Sequence, residues 1–365
     1  MRILFNVAHP AQVHLFRNAL QILMDHGHEC RITAINKEVS LKLLDSFGFD
    51  YDAIGSAKPT PLGKGLELLR IDARLLQIAR SFHPDLLVGG VGNAYVAHVG
   101  KLIRKPSIIF DDTEHATIQH RLTDPFVSVI CTPSCYTKDL GEKQVRYNGY
   151  HQLASLHPNY FTPNPAVLNE IGLAEGDPFV VVRFVSWEAS HDVGQHGIHD
   201  KVGLVKALEQ YGQVLITSEG ALSSDLQPYQ ILVSPEKLHD LLYYATLYVG
   251  EGGTTASEAA VLGTPSIYVS SLVGTMGNFI ELEETYGLLY SFTDGSAALG
   301  RAIEILQDPA SKENWGTKRE RLLADKIDVT AFMVWFIENY PRSFTEMKEH
   351  PEVQHSCASI PGDTL

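Results

Sequence analysis

The sequence predicts an α/β protein made of two doubly wound, parallel-sheet (Rossmann-like) domains that face each other across a cleft. Three observations predict this fold. The chain has 365 residues, 44% of them apolar, which is enough for two compact cores. Short apolar runs alternate with longer segments of helical periodicity, as in βαβ units. A proline-rich stretch then interrupts this alternation near the middle of the chain.

Residues 1–150 form the predicted N-terminal domain. Its expected strands are short apolar runs bounded by turn residues. They cover residues 3–7, 30–35, 51–55, 85–90, 107–112, 127–133 and 145–150. Amphipathic segments between them, such as 63–82, predict helices. Ligand contacts are expected in the loops at the carboxyl ends of these strands.

A second α/β pattern follows a predicted linker at residues 151–177 and covers residues 178–325. Its expected strands are 179–185, 213–217, 229–233, 247–250 and 266–269, and its expected helices are 201–211, 236–245, 254–262 and 296–307. Residues 326–341 contain an apolar segment that predicts a helix packed across the domain junction. Residues 342–365 are polar and aperiodic, and they predict a poorly ordered tail.

Composition restricts the possible partners. The formal net charge of −14 and the lack of a dense Lys/Arg block argue against nucleic acid as a partner. The four cysteines form no CxxC pair, so neither a disulfide framework nor a structural zinc site is expected, and a reducing cytoplasm fits best. The chain begins with a strand-like segment, and no window approaches about 18 consecutive apolar residues, so we expect neither an export signal nor a transmembrane segment.

Residues 247–269 carry the clearest motif. A predicted strand is followed by Gly252 and Gly253, and a helix then opens at Thr254 and Thr255. The free N–H groups at a helix start bind anions such as a diphosphate, and threonines there can cap the helix or donate hydroxyls. Glu258, one turn later, could accept hydrogen bonds from both hydroxyls of a ribose. The alternative is an ordinary strand-to-helix turn with a capping threonine and a solvated glutamate.

This segment resembles the second-domain signature of GT-B glycosyltransferases and their relatives. The most similar are the lipid-linked N-acetylglucosaminyltransferase of peptidoglycan synthesis and the non-hydrolysing UDP-N-acetylglucosamine 2-epimerase. Within this superfamily, the whole chain looks closest to an uncharacterised archaeal and bacterial family of unknown function. The resemblance implies a GT-B fold that binds a nucleotide-sugar, a UDP-sugar by analogy. Helix N–H groups would stabilise the charge of the leaving group, so neither a metal ion nor another cofactor is expected. The positions that match the family's signature are Gly252, Gly253, Thr255, Ser257 and Glu258, with Glu258 in the ribose-binding place. Asn278 falls where the family's loop nears the sugar and the diphosphate, and Thr254 is a further candidate because it lies at the helix start.

The loop after the second domain's first strand, residues 183–200, is rich in polar and ring-bearing residues. In GT-B transferases the corresponding loop contacts phosphate, which makes Arg183, Ser186 and Trp187 further candidates. The loop also holds several histidines and aspartates. They form no helical i, i+4 histidine pair, so no metal site is predicted.

Two first-domain loops supply candidates for the acceptor side. His14 corresponds by position to a histidine in the transferase's glycine-rich first loop, and an imidazole there could take a proton from an attacking hydroxyl. This chain has residues 8–11, Ala-His-Pro-Ala, in place of the glycine-rich turn, so a close phosphate contact is not expected there. Residues 107–116 crowd three carboxylates and a histidine, which should raise at least one carboxylate pKa, and Glu114 matches an acidic residue of the relatives. The alternatives are a packed His14 and a helix start decorated by Asp111 and Asp112.

The leading expectation is therefore a metal-independent glycosyltransferase with His14 or Glu114 as acceptor base. Its acceptor is unknown. A lipid-linked acceptor is one option, because residues 58–80 combine basic and leucine side chains that could meet an anionic membrane at its inner face. A solvated face of a core helix is the alternative interpretation of that segment.

Two other functions stay open. One is epimerase-like chemistry on UDP-N-acetylglucosamine, although the Arg-Pro-Glu and His-Arg-x-Glu-Asn signatures of that family are absent from the expected places. The other is a non-catalytic nucleotide-sugar-binding protein.

Overall fold

The computed structural model describes residues 1–356 apart from residues 38, 57, 59, 186–196, 219 and 232. The chain divides into two compact units. The first unit comprises Met1–Tyr160 and Lys326–Leu365, and the second comprises Phe161–Asp325. The predicted linker is therefore shared between the two units.

The strands follow the sequence prediction closely, with two exceptions in the second unit. In the first unit they are β1 (Arg2–Val7), β2 (Glu29–Asn36), β3 (Asp52–Ser56), β4 (Leu86–Gly90), β5 (Ser107–Phe110), β6 (Val129–Pro133) and β7 (Gln144–Tyr147). In the second unit they are β8 (Phe179–Phe184), β9 (Gln213–Ser218), β10 (Leu247–Gly250), β11 (Ser266–Val269) and β12 (Leu289–Phe292).

Helices follow most of these strands. Those before the second sheet are α1 (Pro10–Asp25), α2 (Ser40–Ser46), α3 (Pro61–Phe82), α4 (Ala94–Ile103), α5 (Thr117–Thr123), α6 (Leu153–Leu156) and α7 (Ala166–Glu170). The remaining ones are α8 (Lys201–Leu208), α9 (Leu238–Tyr244), α10 (Gly253–Leu262), α11 (Gly277–Glu284), α12 (Gly295–Gln307), α13 (Ser311–Asp325), α14 (Val329–Glu338) and α15 (Arg342–Glu349). Short 3-10 turns cover Gly141–Lys143, Gln227–Tyr229, Pro235–Lys237 and Pro351–Ser356.

The described strands of the first unit form a seven-stranded sheet in the order β3-β2-β1-β4-β5-β6-β7. Neighbouring strands pair in parallel. The strand order reverses between β1 and β4, which makes that position the topological switch point of the sheet. Apolar side chains of the strands and of α3 and α4, such as Leu75, Leu87 and Val99, form the core on one face.

The described strands of the second unit form a five-stranded sheet in the order β12-β11-β10-β8-β9, again with parallel pairing. Here the order reverses between β8 and β10. Loops at the carboxyl ends of strands that flank a switch point are the usual ligand-binding position in such sheets. The two Rossmann-like parallel-sheet domains predicted from the sequence are therefore confirmed.

One strand was predicted wrongly in the second unit, and one was missed. Residues 229–233 were expected to form a strand, but the chain makes a 3-10 turn at Gln227–Tyr229 that contains Pro228, and beyond it a single bridge joins Ile216 to Gln230. The fixed φ of Pro228 suits this turn, and the turn includes Tyr229, the first residue of the predicted strand. The sequence prediction also missed β12, whose four residues give too short an alternation to stand out.

The C-terminal segment was also predicted wrongly for residues 342–356. These residues form α15 and the following 3-10 turn in place of an irregular tail. The Ser343 hydroxyl donates to the Phe336 carbonyl (2.6 Å), and the Asn148 N–H donates to the Gln354 side chain (2.6 Å). The side chain of Met347 is also buried, which the mainly polar sequence of this segment does not predict.

Helix α14 belongs to the first unit, where it packs on α1 and α6. Its N-cap is Asp328, whose carboxylate accepts from the Ala331 N–H (2.9 Å) and from the Tyr160 hydroxyl (2.9 Å). The Thr330 hydroxyl donates to the Ala154 carbonyl (2.7 Å). These contacts account for the buried, apolar α14 within one unit; its predicted position across the domain junction stays a prediction.

Candidate functional site

The start of α10 lies beside the switch point of the second sheet. β10 ends at Gly250, and α10 begins at Gly253 with Gly252 as its N-cap. Among the described residues no side chain caps this helix start. Thr254 and Thr255 lie inside the helix, so the expectation that one of them caps it is wrong. A glycine N-cap leaves the first-turn N–H groups to an external acceptor, which is the arrangement that binds anions.

Gly250 has no room for a side chain. A Cβ at this position would lie 2.5 Å from the Tyr248 hydroxyl and 2.8 Å from the Arg183 carbonyl oxygen. The Tyr248 hydroxyl donates to the Gly252 carbonyl (3.2 Å), and burial raises the pKa of Tyr248, so this donor stays protonated. Tight packing therefore fixes the backbone that leads into α10.

Arg183 brings a positive charge to the helix start. Its backbone pairs with Gly250 in the β8–β10 ladder. A Cβ at Gly252 would lie 3.1 Å from the Arg183 Nε, so the guanidinium passes close to the N-cap. A guanidinium and a helix N-terminus side by side favour a bound anion. Ser186 and Trp187, the other two candidates from this loop, lie outside the described residues.

Glu258 lies in the second turn of α10 and is 6% exposed. Its Oε1 is 3.2 Å from Nε2 of His239, which is itself buried. The solvated glutamate considered from the sequence is therefore wrong. A buried carboxylate held by an imidazole has a fixed orientation, which suits recognition of a specific donor pair.

Asn278 is buried at the start of α11, where its Oδ1 accepts from the Phe279 N–H (3.0 Å). The Phe279 ring packs on Tyr268 with centroids 4.8 Å apart. A Cβ at Gly253 would lie 3.5 Å from the Phe279 ring, so the starts of α10 and α11 are neighbours. The structure thus brings Arg183, Glu258, Asn278 and the glycine turn together in one unit.

Sequence reasoning missed Glu251. Its buried carboxylate accepts from the Ile198 N–H (2.8 Å) and the Val185 N–H (3.0 Å), and it pairs with Lys201 (3.4 Å). It therefore anchors the chain on both sides of residues 186–196. A carboxylate directly after a buried strand and before the glycine turn was the available signal.

A cavity of about 440 Å³ lies in the second unit beside this anchor. It includes Phe184, Lys201 and Ser218 in its lining, from the carboxyl ends of β8 and β9 and the start of α8. The Lys201 ammonium lies 4.6 Å from the Phe184 ring centroid. The Lys201 ammonium in the cavity lining therefore contacts both Glu251 and the Phe184 ring.

In the first unit, the switch point is occupied by an amide network. Gln12 accepts from the Ala8 N–H (2.8 Å) and donates to the Val91 carbonyl (2.8 Å). Asn93 donates to the Asn6 carbonyl (2.7 Å). These bonds tie the loops after β1 and β4 together. The network was not predicted, because its members are in separate segments.

His14 lies on α1, two residues after Gln12, and is 9% exposed. Its ring packs edge-on against Phe47 with centroids 5.9 Å apart. This contact gives His14 a packing role, and its role as an acceptor base stays a prediction. His9 is the α1 N-cap, and its Nδ1 accepts from the Ala11 N–H (3.2 Å).

Carboxylates after β5 pair with imidazoles and a phenol. Asp111 Oδ2 lies 2.8 Å from His120 Nε2 and accepts from the Tyr136 hydroxyl (3.2 Å). Burial opposes the charged imidazole, but the hydrogen bond and charge of Asp111 outweigh it and raise the pKa of His120. Helix α5 starts only at Thr117, so Asp111 and Asp112 do not decorate its N-terminus.

Asp112 forms a second pair. Its Oδ2 lies 3.2 Å from His151 Nδ1, and the His151 ring stacks on Tyr147 with centroids 6.4 Å apart. Burial opposes ionisation of Asp112, but the charge and hydrogen bond of His151 and the Thr113 hydroxyl outweigh it and lower the pKa of Asp112. The pKa of Asp112 is thus lowered, whereas crowding of carboxylates was expected to raise at least one carboxylate pKa in this segment.

Glu114 is buried, and its Oε1 accepts from the Thr137 N–H (3.2 Å). Its backbone carbonyl accepts from the Lys138 ammonium.

Among the described residues no group of three or more histidines, cysteines or acidic residues is placed to hold a metal ion. In the described part of the chain no helix has the length and apolar character needed to span a membrane.

A family model described as "Protein of unknown function (DUF354)" matches residues 1–334. The chain belongs to this family. An uncharacterised protein of Methanocaldococcus jannaschii is 22% identical over 291 residues, which is 76% of this chain and 84% of that protein. The family membership expected from the sequence is therefore confirmed.

Solved structures share the fold at low identity. A candidate UDP-N-acetylglucosamine 2-epimerase from Listeria monocytogenes aligns with a TM-score of 0.65 at 12% identity, covering 93% of this chain and 96% of that one. The glycosyltransferase VinC in complex with dTDP aligns with a TM-score of 0.60 at 13% identity, covering 95% and 100%. The GT-B fold predicted for this member of the DUF354 family is confirmed.

Proposed function

We propose that the protein binds a UDP-sugar through its second unit and transfers the sugar to an acceptor held by its first unit. One observation carries the proposal. The uncapped start of α10 lies at the switch point of the second sheet, with Arg183 beside it and Glu258 in the next turn. This arrangement offers donors to a diphosphate and a fixed carboxylate to the two hydroxyls of a ribose.

The same groups account for catalysis without requiring a metal ion. In sugar transfer the bond from the anomeric carbon to the diphosphate oxygen breaks, and negative charge develops on the departing UDP. First-turn N–H groups of Gly253 and Thr254, together with the Arg183 guanidinium, stabilise that charge where it forms. Asn278, at the neighbouring start of α11, approaches the sugar and the diphosphate in this arrangement.

The similar structures support the choice of ligand. One is named for a reaction of UDP-N-acetylglucosamine, and the other was determined with dTDP bound. A nucleoside diphosphate is common to both. We infer that the present chain takes the same ligand class, with uracil as the proposed base.

On the acceptor side the first unit must supply a base. His14 and Glu114 are the residues proposed from the sequence, and both are largely buried. The pairs Asp111–His120 and Asp112–His151 add two imidazoles that carboxylates orient at the carboxyl edge of the first sheet. An imidazole fixed by a carboxylate is a common proton acceptor in transfer reactions.

Isothermal titration with UDP tests the donor site. We expect saturable binding by the wild type and at least about tenfold weaker binding by Glu258→Ala, because a charged hydrogen-bond acceptor contributes about 1.5–3 kcal/mol. Glu304→Ala, at an exposed position on α12, is the matched control and should bind UDP as the wild type does. Thermal unfolding of Glu258→Ala checks that the fold survives. The proposal fails if the wild type does not bind, or if Glu258→Ala binds equally well.

Epimerase-like chemistry is a second candidate, and the two carboxylate–imidazole pairs favour it. Elimination and readdition of UDP at a sugar need several acid and base groups, which these pairs supply. Incubation with UDP-N-acetylglucosamine in deuterated water separates the two functions. Epimerisation incorporates deuterium at the sugar C2, whereas transfer leaves the original hydrogen on C2.

A further inference from the structure

The first unit exposes large apolar side chains on three neighbouring helices. Among the described residues, every exposed large apolar side chain except Met1 lies on α3, α4, α5 or directly after α5. We call this surface the apolar face. It consists of Leu66, Leu69, Leu102, Ile118, Leu122 and Phe126, of which Leu66, Leu69, Leu102 and Ile118 are at least 60% exposed. Exposed apolar side chains concentrated in this way indicate a contact surface.

His98 lies on α4 and contacts the two neighbouring helices of this face, α3 and α5. Its Nδ1 lies 2.9 Å from Asp72 on α3, and its Nε2 lies 2.9 Å from the Leu122 carbonyl on α5. Its ring meets Phe126 edge-on at 5.0 Å, and Leu102 lies one helical turn further along α4. These contacts of His98 therefore bring the exposed parts of α4, of α5 and of the middle of α3 next to one another.

A basic cavity borders the apolar face. It has a volume of about 600 Å³, and Phe126 belongs both to its lining and to the apolar face. Four basic residues contribute to the lining, namely Lys101, Arg104, Lys105 and Lys143. This concentration of positive charge stands out in a chain with a net charge of −14.

The charge of the cavity indicates which partner covers the face. A two-fold contact between two copies of the chain would place two such cavities close together, and their like charges would repel. An anionic phospholipid bilayer offers acyl chains to exposed leucines and phosphate groups to basic side chains at the same time.

We propose that the apolar face docks on an anionic phospholipid bilayer, with a lipid phosphate in the basic cavity. The cavity lies near the amino ends of β5 and β6, because Pro106 and Ser128 immediately precede those strands and line it. The two carboxylate–imidazole pairs lie at the opposite, carboxyl edge of the same sheet. Docking through the cavity would therefore leave those pairs uncovered by the bilayer.

Flotation with lipid vesicles tests the proposal on the full chain. The wild type should float with phosphatidylcholine vesicles that contain phosphatidylglycerol, should bind pure phosphatidylcholine much more weakly, and should be released by salt. Each basic group near such a surface contributes about 5-fold in affinity, so Lys101→Glu should weaken binding by about 25-fold. Leu102→Ser should weaken it by about tenfold or more.

Lys42→Glu provides the matched control, because Lys42 is exposed on α2 and the substitution changes the net charge equally. It should bind vesicles as the wild type does. The proposal is wrong if the wild type does not bind anionic vesicles, or if Lys42→Glu weakens binding as much as Lys101→Glu. A dimer seen by light scattering and dissociated by Leu102→Ser would assign the face to a second copy instead. The assay contains no nucleotide, so its result is independent of the UDP titration.

Discussion

Replacing Asp111 by asparagine is predicted to reverse the pKa shift of His120. In the folded protein Asp111 raises that pKa against the opposing effect of burial. Asparagine keeps the shape of the side chain and can still accept the Thr113 N–H bond (2.8 Å), but it carries no charge. Burial is then no longer outweighed, so the pKa of His120 should fall below its ordinary value of 6.5.

The consequence for stability depends on pH. Because the folded-state pKa of His120 is raised, its stabilising contribution is fully present below the unfolded pKa and is lost as pH rises through the folded pKa. A hydrogen bond to a charged group contributes about 1.5–3 kcal/mol, whereas a neutral one contributes about 1 kcal/mol. Asp111→Asn should therefore destabilise the protein by about 0.5–2 kcal/mol near pH 5.5 and by less near pH 8.5.

Urea unfolding at both pH values measures the free-energy change, and NMR titration of the ring signals of His120 measures its pKa. Asp50→Asn, at an exposed position of the same unit, is the control and should change neither quantity. The reasoning is refuted if the destabilisation by Asp111→Asn is the same at both pH values. It is equally refuted if His120 in the variant titrates at or above its wild-type pKa.

Substitutions at four further positions test the site. Gly250→Ala forces a Cβ against the Tyr248 hydroxyl, so it should cost about 1–3 kcal/mol in thermal unfolding and weaken UDP binding; an unchanged melting temperature would contradict the packing. Glu251→Ala leaves buried N–H groups and a lysine without their carboxylate, and it should cost about 2–4 kcal/mol, while Glu251→Gln should cost less. His14→Gln and Glu114→Gln should leave UDP affinity unchanged, and at least one should lower turnover by about 10²-fold. Turnover within twofold of wild type in both variants would remove them as acceptor bases.

The sequence predicted most of the fold because each strand and helix carries its own local signal. Residues 179–185 form an apolar run that predicts a strand without information from distant parts of the chain, and β8 coincides with it closely. Residues 342–356 lack such a signal. Their order depends on contacts such as the one between Gln354 and Asn148, which are 206 positions apart.

The candidate site divides in the same way. The glycine turn, the start of α10 and Glu258 are contiguous in sequence, so the spacing alone indicated an anion site. The His151 partner of Asp112 follows β7, and Tyr136 and His120, which meet Asp111, also come from other segments. Only the strand order β5-β6-β7 places these loops at one edge, and sequence periodicity does not give strand order.

A crystal structure with UDP tests the central claim most directly. The diphosphate oxygens should lie within hydrogen-bond distance of the first-turn N–H groups of α10 and near Arg183, and the ribose hydroxyls should lie at Glu258. A nucleotide bound elsewhere on the chain, with no contact to α10, would contradict the assignment of the second unit as the donor site.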